Sequence, residues 1–220
     1  MKDLPNIDYK KTSQNPTLDS DTSLYILPYY KDVEYFSNLD NFVGFIKGVE
    51  SLVRTSKYYS RYVKYLKTDV GLNFCQVLSN IKSEEEEDYT KIEMHHGPIL
   101  TLFDYISIVI DWMLYHNKKI NSFIVADIIL EEHFANRIQV VMLSSTVHEL
   151  VHDNNIFIST KQAFGDLNAF LKKYRDGVNQ EQLQKINHYI ELCKKYDSFD
   201  KHSLDISTIK KWSEKNKKNK

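Results

Sequence analysis

The sequence predicts a mostly helical α+β protein, with helices around and between two short strands. Apolar residues recur at spacings of three and four in several stretches, which is typical of amphipathic helices. Two short segments show strand patterns instead, one alternating and one β-branched. The 220 residues include only six glycines and four prolines. Glycine is thus well below its usual share of roughly 7%, so few tight turns are expected.

The composition is that of an ordinary globular protein. Apolar residues make up 42% and charged residues 27%, and the net charge is −1, so no overall field favours nucleic acid. The first residues contain no apolar stretch typical of a signal peptide, and no apolar run is long enough to span a membrane. Cys75 and Cys193 are far apart and in no metal-ligand spacing, so both are predicted to be buried thiols. We therefore expect a cytoplasmic protein.

The first part of the chain is predicted to be an extended arm followed by a basic helical segment. Residues 1–40 are polar and interrupted by prolines, with one short apolar clip at Leu24–Leu27. The basic segment spans residues 41–82, and its apolar spacing predicts one helix from Asn41 to Lys67. The acidic run Glu84–Asp88 that follows is predicted to be an exposed loop.

Four basic residues of this segment are predicted to form one stripe on the helix, which we call the basic stripe. They follow a spacing of three and four, with tyrosines interleaved: Arg54, Lys57, Arg61 and Lys64. One explanation is a surface that contacts nucleic-acid phosphates with aromatic support. The other is a solvated helix face whose tyrosines cover the edge of the core. The sequence leaves both open.

Residues 89–160 are predicted to hold both strands. The predicted elements, in order, are a strand at Tyr89–Met94, helices at 101–116 and 122–134, a strand at Ile138–Leu143 and a helix that starts at Ser144 or Ser145. The two helices form an insertion at about 100–135. Thr101 and Asp104 have the spacing of a capping box, and Ser122 is predicted to cap the second helix.

The remainder of the chain is predicted to be helical and to end in a basic tail. The predicted elements are a short strand at Ile156–Ile158 and C-terminal helices at 161–175 and 180–196, within a segment 161–200. Gly177 is a candidate stop for the first of these helices. Residues 201–220 hold seven lysines and two acidic residues, a net charge of 7 − 2 = +5, which favours non-specific affinity for DNA.

Four histidines form two close groups at the ends of the predicted two-strand segment. One group is Glu93-Met94-His95-His96 and the other is His148-Glu149-Leu150-Val151-His152. On a helix, His148 and His152 lie on one face about 6 Å apart and can share a metal ion. With His95 they would supply three imidazole ligands and leave coordination positions open. His96 would then be free to act as a general base.

This order of motifs resembles the HNH (His-Me finger, ββα-metal) endonucleases. The match is closest to the bacterial-toxin DNase branch, whose first motif reads Glu-Leu-His-His and whose helix carries His-x-x-x-His. The chain also resembles phage-encoded HNH-type proteins. The resemblance implies a small ββα-metal core at residues 89–160, with the helical insertion between its strands. Ser144 and Val147 stand where some HNH enzymes have cysteines, so no zinc knuckle is expected.

The resemblance also implies a metal-dependent endonuclease that hydrolyses DNA phosphodiester bonds. In it, His95, His148 and His152 would bind one divalent ion, either Mg²⁺, Mn²⁺, Zn²⁺ or Ni²⁺. His96 would activate the attacking water, and Glu93 would support the site. The protein would bind DNA, mainly through contacts with its backbone, and would not bind a membrane. If it is encoded by a phage, it would act in the host cytoplasm.

Gln139 is the main departure from the family pattern. HNH enzymes commonly have an asparagine nine residues before the first histidine of the helix, where it steadies the loop that carries the base. Gln139 occupies that position here, and the nearest asparagine is Asn136. Either residue would have to take over this role. His116 and His133 lie on the inserted helices and are expected to be structural or exposed.

Three other interpretations stay open. The letters His148-Glu149-x-x-His152 are those of a zinc metallopeptidase, in which Glu149 would be the general base. No later histidine stands in a recognised peptidase spacing, however. A helical binding protein with surface histidines is a second possibility. A third is an HNH-derived protein that binds DNA and has lost catalysis.

Overall fold

The computed structural model describes residues 30–78, 91–153 and 155–196. Within these residues the protein is mostly helical and has one sheet of two antiparallel strands, which confirms the predicted mostly helical α+β class. Three sequence predictions lie outside the described residues. They are the apolar clip at Leu24–Leu27, the acidic run at Glu84–Asp88 and the basic tail at 201–220.

The helices of the described residues are α1 (Val33–Ser37), α2 (Leu39–Thr55), α3 (Lys57–Thr68), α4 (Leu102–Tyr115), α5 (Ser122–Phe134), α6 (Ser145–His152), α7 (Leu167–Lys173) and α8 (Gln180–Tyr196). The strands are β1 (Ile92–His96) and β2 (Val140–Ser144), and short 3-10 turns lie at Thr160–Gln162 and Arg175–Gly177. Among the described helices, none has the length and apolar character that crossing a membrane requires.

The two strands pair antiparallel, with Glu93 opposite Leu143 and His96 opposite Val140. All five residues of β2 are buried, whereas burial alternates along β1. The helices α4 and α5 lie between the strands in chain order, as predicted. A capping box of Thr101 and Asp104 begins α4, and the cap of α5 is Asn121 rather than the predicted Ser122.

The single helix predicted from Asn41 to Lys67 is divided at Ser56, so this prediction was wrong. Ser56 has an extended backbone, with φ −67° and ψ 138°, and its hydroxyl accepts a hydrogen bond from the Tyr58 N–H. Serine caps helices because its side chain can satisfy an unpaired N–H in this way. The basic stripe is therefore spread over two helices.

The core lies between α2, α4, α5 and the sheet. Fully buried side chains from α2 to α5 include Ile46, Val53, Tyr62, Tyr105 and Ile129. Both cysteines are buried and free, as predicted. Gly177 packs so closely against α4 that an added Cβ atom would lie 2.1 Å from the carbonyl oxygen of Ile108. The glycine is therefore needed for close packing of the last 3-10 turn against α4.

The helix predicted at 161–175 is shorter than expected, and the strand predicted at Ile156–Ile158 is not formed. Phe164 makes two backbone hydrogen bonds of 2.8 Å to Val140 instead. Gly165 follows with φ +115°, and Asp166 then caps α7. This contact with the free side of β2 explains why the apolar spacing before residue 167 does not produce a helix.

Candidate metal centre

Three histidines from β1 and α6 converge on one point. One ring nitrogen each of His95, His148 and His152 lies within 4.8 Å of the other two. The Nε2 atoms of His148 and His152 are 3.1 Å apart. His95 lies opposite Val141 in the strand pairing, and α6, which begins directly after β2, packs back against β1, so that its two histidines come to lie beside His95. We call this group the histidine cluster.

The donor set of the histidine cluster fits a divalent metal ion. Metal–nitrogen bonds of about 2.1 Å place neighbouring ligand nitrogens roughly 3.0–3.4 Å apart in tetrahedral or octahedral sites. The 3.1 Å separation of the two α6 histidines falls in this range. Three neutral imidazoles suit Zn²⁺, Ni²⁺ or Co²⁺. The geometry therefore brings together the three residues predicted to bind a metal, and their binding of an ion stays a prediction.

Glu93 holds His148 in the orientation that a metal ligand needs. Its carboxylate accepts a 2.9 Å hydrogen bond from Nδ1 of His148 and a 2.7 Å hydrogen bond from the ammonium of Lys91. These two hydrogen bonds lower the pKa of the Glu93 carboxyl, so it is ionised near neutral pH. Because Nδ1 of His148 carries the donated proton, its Nε2 is left with a lone pair for the ion.

His95 is neutral in this environment. Burial of the imidazole, followed by the nearby His148 and His152 rings and the Arg54 guanidinium, lowers the pKa of His95 to about 4. A neutral ring keeps the lone pair that coordination requires. The low pKa therefore suits His95 to bind a metal at neutral pH.

His96, predicted to stay outside the ligand set and to act as the general base, is buried and pairs with another histidine. It is 5% exposed and its Nε2 lies 3.0 Å from Nε2 of His133. The Tyr59 ring stacks on it, with centroids 6.1 Å apart. The reason is the period of two along β1, which places consecutive histidines on opposite faces. His96 therefore shares the buried face with Ile92 and Met94, although it still lines the same cleft as the cluster.

The cleft above the cluster has a volume of about 260 Å³ and is open to solvent. Its polar lining consists of Glu50, Arg54, Thr101, His95, His96, His148 and His152. Arg54 is exposed, and no carboxylate of the described residues forms an ion pair with it. An exposed guanidinium beside three imidazoles makes the cleft suitable for an anion.

The other members of the basic stripe are exposed but do not line the cleft: Lys57, Arg61 and Lys64. The cations of Lys57 and Arg61 lie 5.5 and 5.7 Å from the centroid of the Tyr58 ring. The structure thus places one of the four predicted nucleic-acid contacts at the cluster and leaves the other three on the outer surface of α3.

Gln139 contacts the loop after His96 through its backbone. Its carbonyl accepts a 3.2 Å hydrogen bond from the Gly97 N–H, and its N–H donates to the Tyr105 hydroxyl at 3.0 Å. The side-chain oxygen is buried and has no hydrogen-bond partner among the described residues. Gln139 therefore supports this loop through its backbone carbonyl and not through its side chain.

Glu149 is exposed on α6 and is part of neither the histidine cluster nor the cleft lining. Adjacent residues on a helix point about 100° apart, so a carboxylate next to His148 faces elsewhere. The third histidine of the cluster also precedes α6 in the chain, on β1. In a zinc metallopeptidase, Glu149 would face the metal site and the third ligand would follow α6 in the chain. Neither feature is found in the part of the chain that the structure describes.

His133 is the residue that sequence analysis missed. It is fully buried on α5, and its ring is held between His96 and the Tyr59 and Tyr62 rings. The two histidines are 37 positions apart, and no sequence spacing links them. The signal available was the alternation of β1, which predicts a buried and therefore partnered His96.

The fold and the cluster define the class: a mostly helical α+β protein in which three histidines from a strand and a helix converge on one point. A family model for bacteriophage G278-like virion proteins matches residues 6–219. The chain belongs to this family. No curated protein and no solved structure matches the chain.

Proposed function

We propose that this protein is a metal-dependent endonuclease of the HNH type that cleaves the DNA backbone. The observation that carries the proposal is the convergence of His95, His148 and His152 in an open cleft that His96 also lines. Two antiparallel strands, followed directly by the helix with two of the histidines, are also what a ββα-metal core would contain. The insertion of α4 and α5 between the strands is compatible with this core because both its ends return to the hairpin.

The histidine cluster would hold one divalent ion, and Glu93 would keep His148 oriented toward it. When bound, the ion would supply charge stabilisation for the phosphorane and for the leaving 3′ oxygen. Arg54 would attract a phosphate of the substrate to the open side of the cleft.

His96 would act as the general base. Water would attack the phosphorus with its oxygen while its proton passes to a ring nitrogen of His96. The new phosphorus–oxygen bond would form as the bond to the 3′ oxygen breaks, and that oxygen would leave with the electron pair and then take up a proton. Burial lowers the pKa of His96 well below its usual value, so the imidazole is neutral near pH 7 and can accept the proton.

The test is cleavage of circular plasmid DNA with added Mg²⁺, Mn²⁺ or Ni²⁺. The wild-type protein is expected to nick and linearise the plasmid, and EDTA is expected to stop it. His96→Ala should abolish cleavage, whereas Glu149→Gln should have little effect. DNA binding without cleavage by any metal-loaded form would contradict the enzyme and favour an HNH-derived DNA-binding protein.

The same two variants distinguish a nuclease from a peptidase. Glu149 would be the general base of a zinc metallopeptidase, so Glu149→Gln would abolish hydrolysis of a casein substrate while His96→Ala would not. That result would overturn the nuclease proposal. The exposed position of Glu149 outside the cleft favours the opposite outcome.

The family name places these proteins in bacteriophage particles, which bears on where a nuclease would meet DNA. We propose that this chain is carried in the virion and acts on DNA of the infected cell. Mass spectrometry of purified particles would test the first part. Recovery of the protein only from the lysate, and not from the particles, would contradict it and favour action in the host cytoplasm after synthesis.

A further inference from the structure

The hydrogen bonds around His96 and His133 determine which of the two rings donates the hydrogen bond between them. Nδ1 of His133 lies 2.7 Å from the carbonyl oxygen of Ile129, and a carbonyl oxygen can only accept. Nδ1 of His133 is therefore the protonated nitrogen. Burial lowers the pKa of His133 to about 4, so near neutral pH its other nitrogen, Nε2, carries a lone pair.

The direction of the next hydrogen bond follows from this. Nε2 of His133 lies 3.0 Å from Nε2 of His96, and a bond between them needs one proton. Because His133 cannot supply that proton, His96 donates it. His96 thus carries its proton on Nε2, and its Nδ1 is the nitrogen with a free lone pair. No hydrogen bond joins this Nδ1 to any other group of the described residues.

We infer that His133 is a positioning residue that fixes His96 as the Nε2-protonated form, leaving Nδ1 of His96 as the proton acceptor of the site. This inference deepens the proposed nuclease function and rests on it. In effect, α5 of the helical insertion supplies a hydrogen-bond acceptor to the residue next to the histidine cluster. The insertion thereby takes part in the site as well as in the core.

The surroundings show that this arrangement is rigid. The Tyr59 ring stacks on His96 and meets His133 edge-on at 5.6 Å between centroids, and the Tyr62 ring meets His133 edge-on at 5.2 Å. Two fully or nearly buried imidazoles with aromatic walls have little room to exchange partners. A ring held in this way is ready for proton transfer in one orientation.

The first experiment is a spectroscopic one that does not depend on activity. Two-bond proton–nitrogen correlation spectra of protein with ¹⁵N-labelled histidine report which nitrogen of each ring carries the proton. His96 is expected to be protonated on Nε2 in the wild type and to become a mixture of tautomers in His133→Phe. Phenylalanine keeps the aromatic packing and removes the acceptor. A wild-type His96 protonated on Nδ1, or a tautomer unchanged in His133→Phe, would overturn the inference.

The second experiment measures plasmid cleavage and metal affinity in the same variants. His133→Phe is expected to lower the turnover about 10–100-fold, as loss of a supporting hydrogen bond commonly does, with metal affinity within about twofold of the wild type. His133→Gln is expected to restore part of the turnover because its amide oxygen can accept from His96. The matched control is His116→Phe, directly after α4, where the histidine contacts Asp176 instead.

The outcomes separate the two proposals. If the wild type does not cleave DNA, the nuclease proposal fails, and the spectra still decide the tautomer of His96. If the wild type cleaves DNA and His133→Phe cleaves equally well, the nuclease stands and the positioning role of His133 is wrong. If His133→Phe does not fold, the wild-type spectrum and the turnover of His133→Gln decide the question.

Discussion

The carboxylate of Glu93 accepts a 2.9 Å hydrogen bond from Nδ1 of His148, and this contact joins β1 to α6 at the histidine cluster. The two residues are 55 positions apart. Because the carboxylate occupies Nδ1, only Nε2 of His148 is available to the centre of the cluster. Metal binding by the cluster can be tested without measuring any enzymatic activity.

Addition of Zn²⁺ or Ni²⁺ is expected to raise the melting temperature of the wild-type protein, and His152→Ala is expected to remove most of this rise. Binding at a metal concentration of 100 times Kd stabilises a folded protein by about 2.7 kcal/mol. Differential scanning calorimetry with and without metal would measure it. His188→Ala, at an exposed position on α8, is the control. An equal rise in His152→Ala would show that the ion binds elsewhere.

Glu93→Gln is expected to lower metal affinity by about tenfold, at the lower end of what loss of such a supporting residue costs. The glutamine can still accept from His148, but it lacks the negative charge that strengthens the hydrogen bond. Competition with a chromophoric chelator would measure the affinity. Glu149→Gln changes an exposed carboxylate on α6, next to His148, and is expected to leave the affinity unchanged. Equal losses in both variants would point to a general effect of charge.

Arg54→Ala is expected to weaken DNA binding more than Lys64→Ala does. Arg54 lines the cleft, whereas Lys64 is exposed outside it. Each lost phosphate contact should also reduce the slope of log affinity against log salt concentration by about 0.9 for duplex DNA. Fluorescence anisotropy at several salt concentrations would give both quantities. A larger effect of Lys64→Ala would place the DNA surface on α3 rather than at the cleft.

Glu132→Gln is expected to lower the free energy of unfolding by about 3 kcal/mol. The Glu132 carboxylate is fully buried and pairs with Arg137, with Lys173 at 2.6 Å and with the hydroxyl of Tyr174 at 2.9 Å. Removing its charge leaves two cations without their partner. Urea unfolding would measure the change. The neighbouring exposed Glu131 supplies the control, since Glu131→Gln should alter stability by less than about 0.5 kcal/mol.

The stability of the protein is expected to fall as the pH drops from about 6.5 to about 4. Burial lowers the pKa of His133 to about 4, below its value in the unfolded chain. In this window the unfolded chain binds a proton that the folded protein does not, so acid favours unfolding. The contribution of one such group is up to about 1.4 kcal/mol per pH unit. Urea unfolding at several pH values should show a smaller slope for His133→Phe, and an equal slope would contradict the role of His133.

Much of the fold could be predicted from local sequence patterns. The spacing of apolar residues predicts α4 and α5 to within one residue of their ends, because caps and amphipathic periods are local properties. The alternation at Ile92–Met94 predicts β1 for the same reason. The errors lie where a local pattern competes with another contact. Ser56 caps a new helix inside an apolar period, and Phe164 pairs with β2 instead of joining α7.

The sequence by itself determined the residues of the histidine cluster. The i, i+4 spacing of His148 and His152 on a helix and the Glu93-x-His95 strand are both readable from the chain, because helix and strand periods determine which side chains share a face. Only the tertiary structure decided what His96 contacts. His133 reaches it from α5, and Arg54 reaches the same cleft from α2. These contacts join residues far apart in the chain, and they depend on how helices pack, which no local period records.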